Sequence, residues 1–119
     1  MSQFFEVDKI GDVAVVSFKK NVVSDLEDVG IMGEGIASSI VLMIENGCQK
    51  FIIDFGVVEF LHGDFLAHLI SLKRKFNGST KIVLCGLNQQ PYDKFLETKI
   101  YQLFTIVKDK EEAFPIFQQ

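Results

Sequence analysis

At 119 residues the chain is long enough to bury a hydrophobic core, and we predict one domain over residues 1–119. Hydrophobic residues make up 48% of the sequence, which is typical of a globular protein and excludes a disordered one. The formal net charge of −4 supplies no basic face, so we expect neither nucleic acid nor a membrane surface as a partner.

The cysteines and the N-terminus point to a reducing compartment. Cys48 and Cys85 lie among apolar residues without the spacing of metal ligands, so we predict two buried free thiols. No secretory signal is visible at the N-terminus, and no apolar stretch is long enough to span a bilayer. We therefore expect a cytoplasmic domain that holds no metal and no cofactor.

The first part of the chain predicts two strands, a loop and a helix. Residues 4–7 and 13–18 have the apolar character of paired strands in a hairpin. Residues 19–35 hold three glycines and four carboxylates, which predict a mobile acidic loop whose glycines adopt positive φ. The glycine order does not match a phosphate-binding loop, and the carboxylates match no EF-hand spacing. A helix is predicted from Ile36 to a C-cap glycine at Gly47.

Strands and helices alternate in the middle of the chain. The apolar runs FIIDF (51–55) and KIVLCGL (81–87) predict buried strands. Between them, apolar residues at helical spacing predict a helix over 65–76 that stops at Asn77-Gly78. Because strands joined by helical crossovers run parallel, this alternation predicts a mostly parallel sheet.

The last part of the chain completes the predicted fold. Pro91 suits the first turn of a third helix, residues 104–107 predict a short strand, and Asp109 opens a last helix. The third helix is predicted to have Tyr92, Phe95 and Leu96 on one side. The order β-β-α-β-α-β-α-β-α predicts a single-domain α/β sandwich. It has a mixed, mostly parallel sheet of four to five strands and about four helices.

The segment FLHGDFLAHLI, residues 60–70, joins a predicted strand to the second predicted helix. Proteins of the α/β class place ligands at such turns, so His62 and Asp64 are candidates for chemistry. Gly63 stands where a nucleophile would be needed, however, and the sequence contains no G-x-S-x-G elbow. His62 and His68 would not share a helix face, which argues against a metal site. We predict no catalytic residue and no enzyme activity.

A set of spaced features extends over residues 50–114. They are the strand FIIDF, the segment VEFL, a turn that opens a helix with Leu66, Leu69 and Ile70, a helix-ending glycine, the strand KIVLCGL, a helix around FLE, and a closing strand followed by KEEAF. In this order they resemble a STAS domain, the family of anti-sigma factor antagonists and of the cytoplasmic tails of sulfate transporters. The N-terminal half resembles the family only in its element order.

The turn departs from the family's pattern. In the family it reads Asp-Ser-Ser-Gly-Leu, and a kinase phosphorylates the first of the two serines. When the sequence is anchored on Phe60-Leu61 and on the leucine, the motif falls on His62, Gly63, Asp64, Phe65 and Leu66. Only the leucine is kept, and Gly63 replaces the serine that carries the phosphate.

The resemblance implies a non-catalytic regulatory module that binds a protein through residues 62–66. The implied partner is a kinase-like anti-sigma factor or another STAS protein, and a homodimer is also open. Asp64 places a permanent charge at the start of a helix, where it either caps the helix or imitates a phosphorylated family member. A small-ligand- or lipid-binding domain with a groove between its helices is the alternative.

Overall fold

The computed structural model of the protein describes residues 4–76, 78 and 80–118. Its elements follow the predicted alternation, with two short strands added. The strands are β1 (Phe5–Ile10), β2 (Val13–Phe18), β3 (Val22–Val23), β4 (Lys50–Asp54), β5 (Phe60–Leu61), β6 (Lys81–Cys85) and β7 (Thr105–Val107). The α-helices are α1 (Leu26–Glu45), α2 (Phe65–Phe76), α3 (Gln89–Thr98) and α4 (Lys110–Ala113), and 3₁₀ turns cover Ile100–Gln102 and Phe114–Gln118.

Five strands form the main sheet in the order β1-β2-β4-β6-β7. The β1–β2 pair is antiparallel, and Gly11 turns its hairpin at a φ of +63°. The other three pairs are parallel. The predicted α/β fold with a mixed, mostly parallel sheet and four helices is therefore confirmed.

The two faces of the sheet are covered unequally. Buried side chains of α1, α2 and α3 share the larger hydrophobic cluster with one face of β2, β4 and β6. The opposite face packs against Ala113 of α4 and the aromatic side chains of the 3₁₀ turn that follows it. Because both faces of the central strands are buried, their sequences are almost continuously apolar.

Four phenylalanine rings form an aromatic cluster on the helix-covered face. The ring of Phe55 lies 4.7 Å from that of Phe18 and 6.0 Å from that of Phe95, centroid to centroid. Phe65, the first residue of α2, joins the cluster 5.7 Å from Phe18. All these contacts are edge-to-face, a geometry that adds about 0.5–1.5 kcal/mol per pair beyond burial. The start of α2 is thereby linked to the end of β2, to the loop after β4 and to α3.

The loop predicted over residues 19–35 is wrong in most of its length, because α1 begins at Leu26 and continues through it. Asp25 caps the helix: its carboxylate accepts backbone hydrogen bonds from Glu27 at 2.8 Å and Asp28 at 3.3 Å. The acidic residues predicted to form a solvated loop therefore cap the helix or belong to it.

The glycines of that segment are helical, and the prediction of positive φ for them is also wrong. A Cβ added to Gly33 would lie 2.4 Å from the His68 ring of α2, and one added to Gly35 would lie 3.0 Å from the Phe5 ring. These glycines let neighbouring side chains approach the helix backbone closely. Their low helix propensity had suggested a loop, but the packing that they permit favours the helix.

A second, unpredicted sheet consists of β3 and β5 paired in parallel. The backbone N–H groups of Glu59 and Phe60 donate to the Asn21 carbonyl, and that of His62 donates to the Val23 carbonyl at 2.7 Å. Two residues per strand are too few to show a period in the sequence, so no pattern could have indicated this pairing.

Three smaller predictions can be compared with the structure. Cys48 and Cys85 are buried free thiols, as predicted. On α3 the side chain of Phe95 is buried, whereas those of Tyr92 and Leu96, which lie on the same side of the helix, are exposed. Asn77, predicted to help end α2, lies outside the described residues. In the described part of the chain, no helix is long and apolar enough to cross a membrane.

The contact between Gly33 and His68 predicts opposite effects for two glycine substitutions in α1. Gly33→Ala should lower the free energy of unfolding by about 1–3 kcal/mol, because its Cβ overlaps the imidazole. Gly30→Ala, where a Cβ meets nothing within 4 Å, should raise it by about 0.4–1 kcal/mol. Urea denaturation measures both. The His68→Ala change should relieve part of the Gly33→Ala cost, and equal stabilisation by both alanines would contradict the close packing.

Candidate functional site

Residues 62–66 comprise the connection after β5 and the first two residues of α2, and we call them the β5–α2 turn. The Phe65 N–H donates to the His62 carbonyl at 3.0 Å, and the Leu66 N–H donates to the Gly63 carbonyl at 3.0 Å. The turn is fixed at its start by the bond from the His62 N–H to β3. The five residues predicted as a site therefore lie together in one hydrogen-bonded turn.

His62 supplies the side chain that orders the turn. Its Nδ1 atom accepts a hydrogen bond of 3.0 Å from the backbone N–H of Asp64, just before the first residue of α2. A nitrogen that accepts a hydrogen bond carries no proton itself, so this bond requires Nδ1 to be unprotonated. The bond occupies one of the backbone donors that a helix start leaves without an intrahelical partner.

The Asp64 carboxylate does not act as the helix cap that the sequence suggested as one role for it. Within the described residues it accepts no hydrogen bond from the start of α2, and its Oδ1 atom lies 3.8 Å from His62 Nδ1. The side chain is 66% exposed. A carboxylate near a helix N-terminus is still stabilised by the helix dipole, by about 0.3–1 kcal/mol when exposed. Asp64 is therefore an exposed negative charge at the start of α2.

The other three residues of the turn divide into anchors and an open position. Phe65 and Leu66 are buried, at 1% and 2% exposure, so they hold the turn to the core and present no side chain to a partner. Gly63 is exposed, and a Cβ added to it would meet nothing within 4 Å. Its φ is not positive, so an L-residue fits there without strain.

Gln90 of α3 also supports the turn, a role that no pattern in the sequence indicates. Its side-chain carbonyl accepts from the Leu61 N–H at 2.8 Å, and its side-chain amide donates to the Leu61 carbonyl at 3.2 Å. The amide thus pairs with β5 as a neighbouring strand would. A glutamine in a helix carries no distinguishing pattern, so this role could be found only from the fold.

A second polar group lies at the carboxyl ends of β4 and β6. The Asp54 carboxylate accepts from the Gly56 N–H at 2.8 Å and lies 3.9 Å from the Lys110 ammonium. Burial and the nearby Asp54 carboxylate raise the pKa of the Cys85 thiol to about 12. The thiol therefore stays protonated at neutral pH and is a poor nucleophile. These contacts fix the loop after β4.

Described residues line at least two clefts on the surface. One lies between α1 and α2 beside Gly33, His68 and Lys75, and holds about 190 Å³. The other, of about 320 Å³, lies beyond the ends of β6 and β7, beside Tyr92 and Lys108. Ligand pockets commonly hold about 300–1,000 Å³, so the first is small and the second is at the lower limit. Within the described residues, no group of three or more acidic, histidine or cysteine side chains could hold a metal ion.

Comparison with solved structures identifies the fold. A candidate anti-sigma factor antagonist from Thermotoga maritima superposes with a TM-score of 0.80 at 15% identity, over 97% of this chain and 95% of that one. An anti-sigma factor antagonist (STAS) domain protein from Planctomyces limnophilus gives 0.73 at 21% identity, over 92% of each chain. The anti-sigma factor antagonist SpoIIAA in its unphosphorylated form gives 0.63 at 13% identity, over 96% of this chain and 97% of that one.

These similarities establish the architecture as that of anti-sigma factor antagonists and STAS domains. The chain has the STAS fold, and the resemblance seen in the sequence is confirmed at this level. No protein-family model and no curated protein sequence matches the chain.

The contact of His62 with the Asp64 backbone predicts a specific loss of stability. His62→Ala removes the acceptor and should lower the free energy of unfolding by about 0.5–2 kcal/mol, as the loss of a capping side chain does. His62→Asn should restore much of it, because the asparagine side chain can accept from the N–H two residues on. Thermal unfolding measures both variants, and equal losses for the two would show that the imidazole acts by packing instead.

Proposed function

We propose that this protein is a non-catalytic regulatory module that binds a protein partner through the β5–α2 turn. One observation supports the proposal: in a chain with the STAS fold, the turn that the sequence resemblance matches to the family's phosphorylated switch is held by hydrogen bonds and exposes Gly63 and Asp64. His62, Gly63 and Asp64 present the contact surface, while Phe65 and Leu66 anchor it. The partner is a kinase-like anti-sigma factor or another STAS protein, and the setting is the cytoplasm.

The chemistry of the turn supports a module that does not switch at the usual position. Glycine has no hydroxyl, so Gly63 cannot accept a phosphoryl group. Asp64 supplies a single negative charge one residue later, whereas a phosphoserine would supply about −1.5 to −2. The module therefore carries the Asp64 carboxylate at this turn without phosphorylation, and its binding does not depend on a kinase acting there.

The alternative function is the binding of a small ligand in the groove between α1 and α2. The cleft beside Gly33 and His68 supports it, and Lys75 adds a positive charge at its rim. Its volume of about 190 Å³ would admit a small polar molecule better than a lipid chain. Protein binding is favoured because the conformation of the turn is held by several hydrogen bonds from other elements.

Reversing the charge at position 64 should weaken partner binding. The tagged protein is recovered from its own cells, and mass spectrometry identifies both its partners and its phosphorylated residues. We expect Asp64→Arg to reduce recovery of a kinase-like or STAS partner about tenfold, which is typical of a central interface residue. Asp8→Arg is the matched control, because Asp8 is an exposed aspartate on β1 at the edge of the main sheet.

The outcomes of this capture separate the two functions. Equal recovery by the wild type and Asp64→Arg would place the interface elsewhere on the molecule. Recovery of no protein partner, together with a stoichiometric small molecule in the native mass spectrum, would favour ligand binding in the cleft between α1 and α2.

Gly63→Ser should create a phosphoacceptor without disturbing the fold, since the position is open and φ is not positive. The variant is incubated with ATP and the captured kinase-like partner, and phosphoserine at position 63 is measured by mass spectrometry. We expect phosphate on the variant and none at this turn in the wild type. Gly30→Ser, on α1 where an added Cβ meets nothing within 4 Å and φ is not positive, tests whether an added serine at another open position is enough. If neither variant becomes phosphorylated, the result contradicts the proposed relation of the turn to the family's switch.

A further inference from the structure

The β3–β5 sheet carries exposed apolar side chains on its outer side. Val22 and Phe60 are cross-strand neighbours in the parallel pair, and each is 40% exposed. The residues that follow them, Val23 and Leu61, are fully buried, as the alternation of a strand requires. An exposed valine and an exposed phenylalanine therefore stand side by side on a sheet whose other face belongs to the core.

Leu26, the first residue of α1, is another exposed apolar side chain near the end of β3. It is 60% exposed and is the third residue after Val23, so its Cα lies within about 11 Å of the end of β3. We call Val22, Leu26 and Phe60 the β3–β5 patch. The patch adjoins the β5–α2 turn, because His62 follows β5 directly and its N–H bonds to β3.

Exposed carboxylates adjoin the residues of the patch in the chain. Asp25 and Glu27 flank Leu26, Glu59 precedes Phe60, and Asp64 lies in the adjoining turn. Within the described residues, neither Glu27 nor Glu59 has an ion-pair partner, while the nearby cation Lys20 is already paired with Asp28. The apolar residues of the patch are therefore accompanied by two carboxylates, Glu27 and Glu59, that have no ion-pair partner among the described residues.

Charge complementarity selects the kind of molecule that covers such a surface. An anionic membrane or a nucleic acid would be repelled by it, and a second copy would bring like charges together unless it met the patch with another face. A protein surface with exposed apolar side chains among lysines or arginines matches both the centre and the border.

We propose that the β3–β5 patch docks a basic amphipathic segment of a protein partner. The inference rests on the proposed function, because it states the chemistry of the partner's surface next to the β5–α2 turn. Apolar side chains of the segment cover Val22, Leu26 and Phe60, and its cations pair with Glu27 and Glu59.

The test uses the purified full chain and a fluorescently labelled helical peptide of leucine and lysine in an amphipathic pattern. A peptide with glutamate in place of lysine is the charge control, and fluorescence anisotropy measures both dissociation constants at low and high salt. We expect the wild type to bind the lysine peptide, with a dissociation constant that increases with salt concentration, and not to bind the glutamate peptide. Backbone amide shifts in an NMR titration should cluster at residues 20–27 and 59–64.

Matched variants on one helix locate the site. Leu26 and Leu42 are both exposed leucines of α1, with exposed fractions of 60% and 59%. At about 1.5 Å of rise per residue, they lie about 24 Å apart along the helix. Leu26→Ser should raise the dissociation constant of the lysine peptide about fivefold to tenfold, and Leu42→Ser should leave it unchanged. Glu59→Lys should weaken binding and reduce its salt dependence, whereas Glu45→Lys, at the far end of α1, should do neither.

Several results would overturn the docking proposal while leaving the proposed function to its own test at Asp64. They are a lack of binding of the lysine peptide, equal binding of both peptides, and equal effects of the Leu26 and Leu42 variants. Sedimentation of the wild type without peptide provides a further test of the docking proposal. Self-association that Leu26→Ser abolishes would assign the patch to a second copy of this chain.

Discussion

The edge-to-face cluster of Phe18, Phe55, Phe65 and Phe95 is the interaction on which the geometry of this molecule depends. Its rings come from the end of β2, the loop after β4, the first residue of α2 and the middle of α3. Burial of one aromatic side chain contributes about 1.5–3 kcal/mol, so the cluster supplies much of the stability near the site. Since Phe65 belongs both to the cluster and to the β5–α2 turn, the exposed turn cannot shift without disturbing the core.

The parts of the fold that could be predicted are those in which one residue pattern fixes one element. The apolar runs at 51–55 and 81–87 each overlap a strand that is buried on both faces. No other secondary structure is predicted as clearly by these residues. The stripe over 65–76 was assigned for the same reason, because four buried residues recur at helical spacing. Local pattern and tertiary environment agree in these segments, which makes them readable from the sequence.

The start of α1 could not be predicted, because a tertiary contact reverses the local preference. Glycine disfavours a helix by about 1 kcal/mol, and three glycines within residues 26–35 indicated a loop. Two of them permit contacts with His68 and Phe5 that lie far away in the chain. The candidate turn shows the same division. Its five residues were predicted from the sequence. The supporting hydrogen bonds from β3 and Gln90 could not be predicted, because they come from elements that only the fold places beside the turn.

The pairing of Gln90 with Leu61 has a consequence for the solubility of the protein. A short parallel sheet with open edges is a template on which other chains can add strands and begin to aggregate. The Gln90 amide occupies both backbone groups of Leu61, so at this point the outer edge of β5 is closed by a side chain. The long edge strand β1 is protected differently, by the charges of Glu6, Asp8 and Lys9. The small sheet can thus remain exposed at the surface while one of its edges is unavailable for fibril growth.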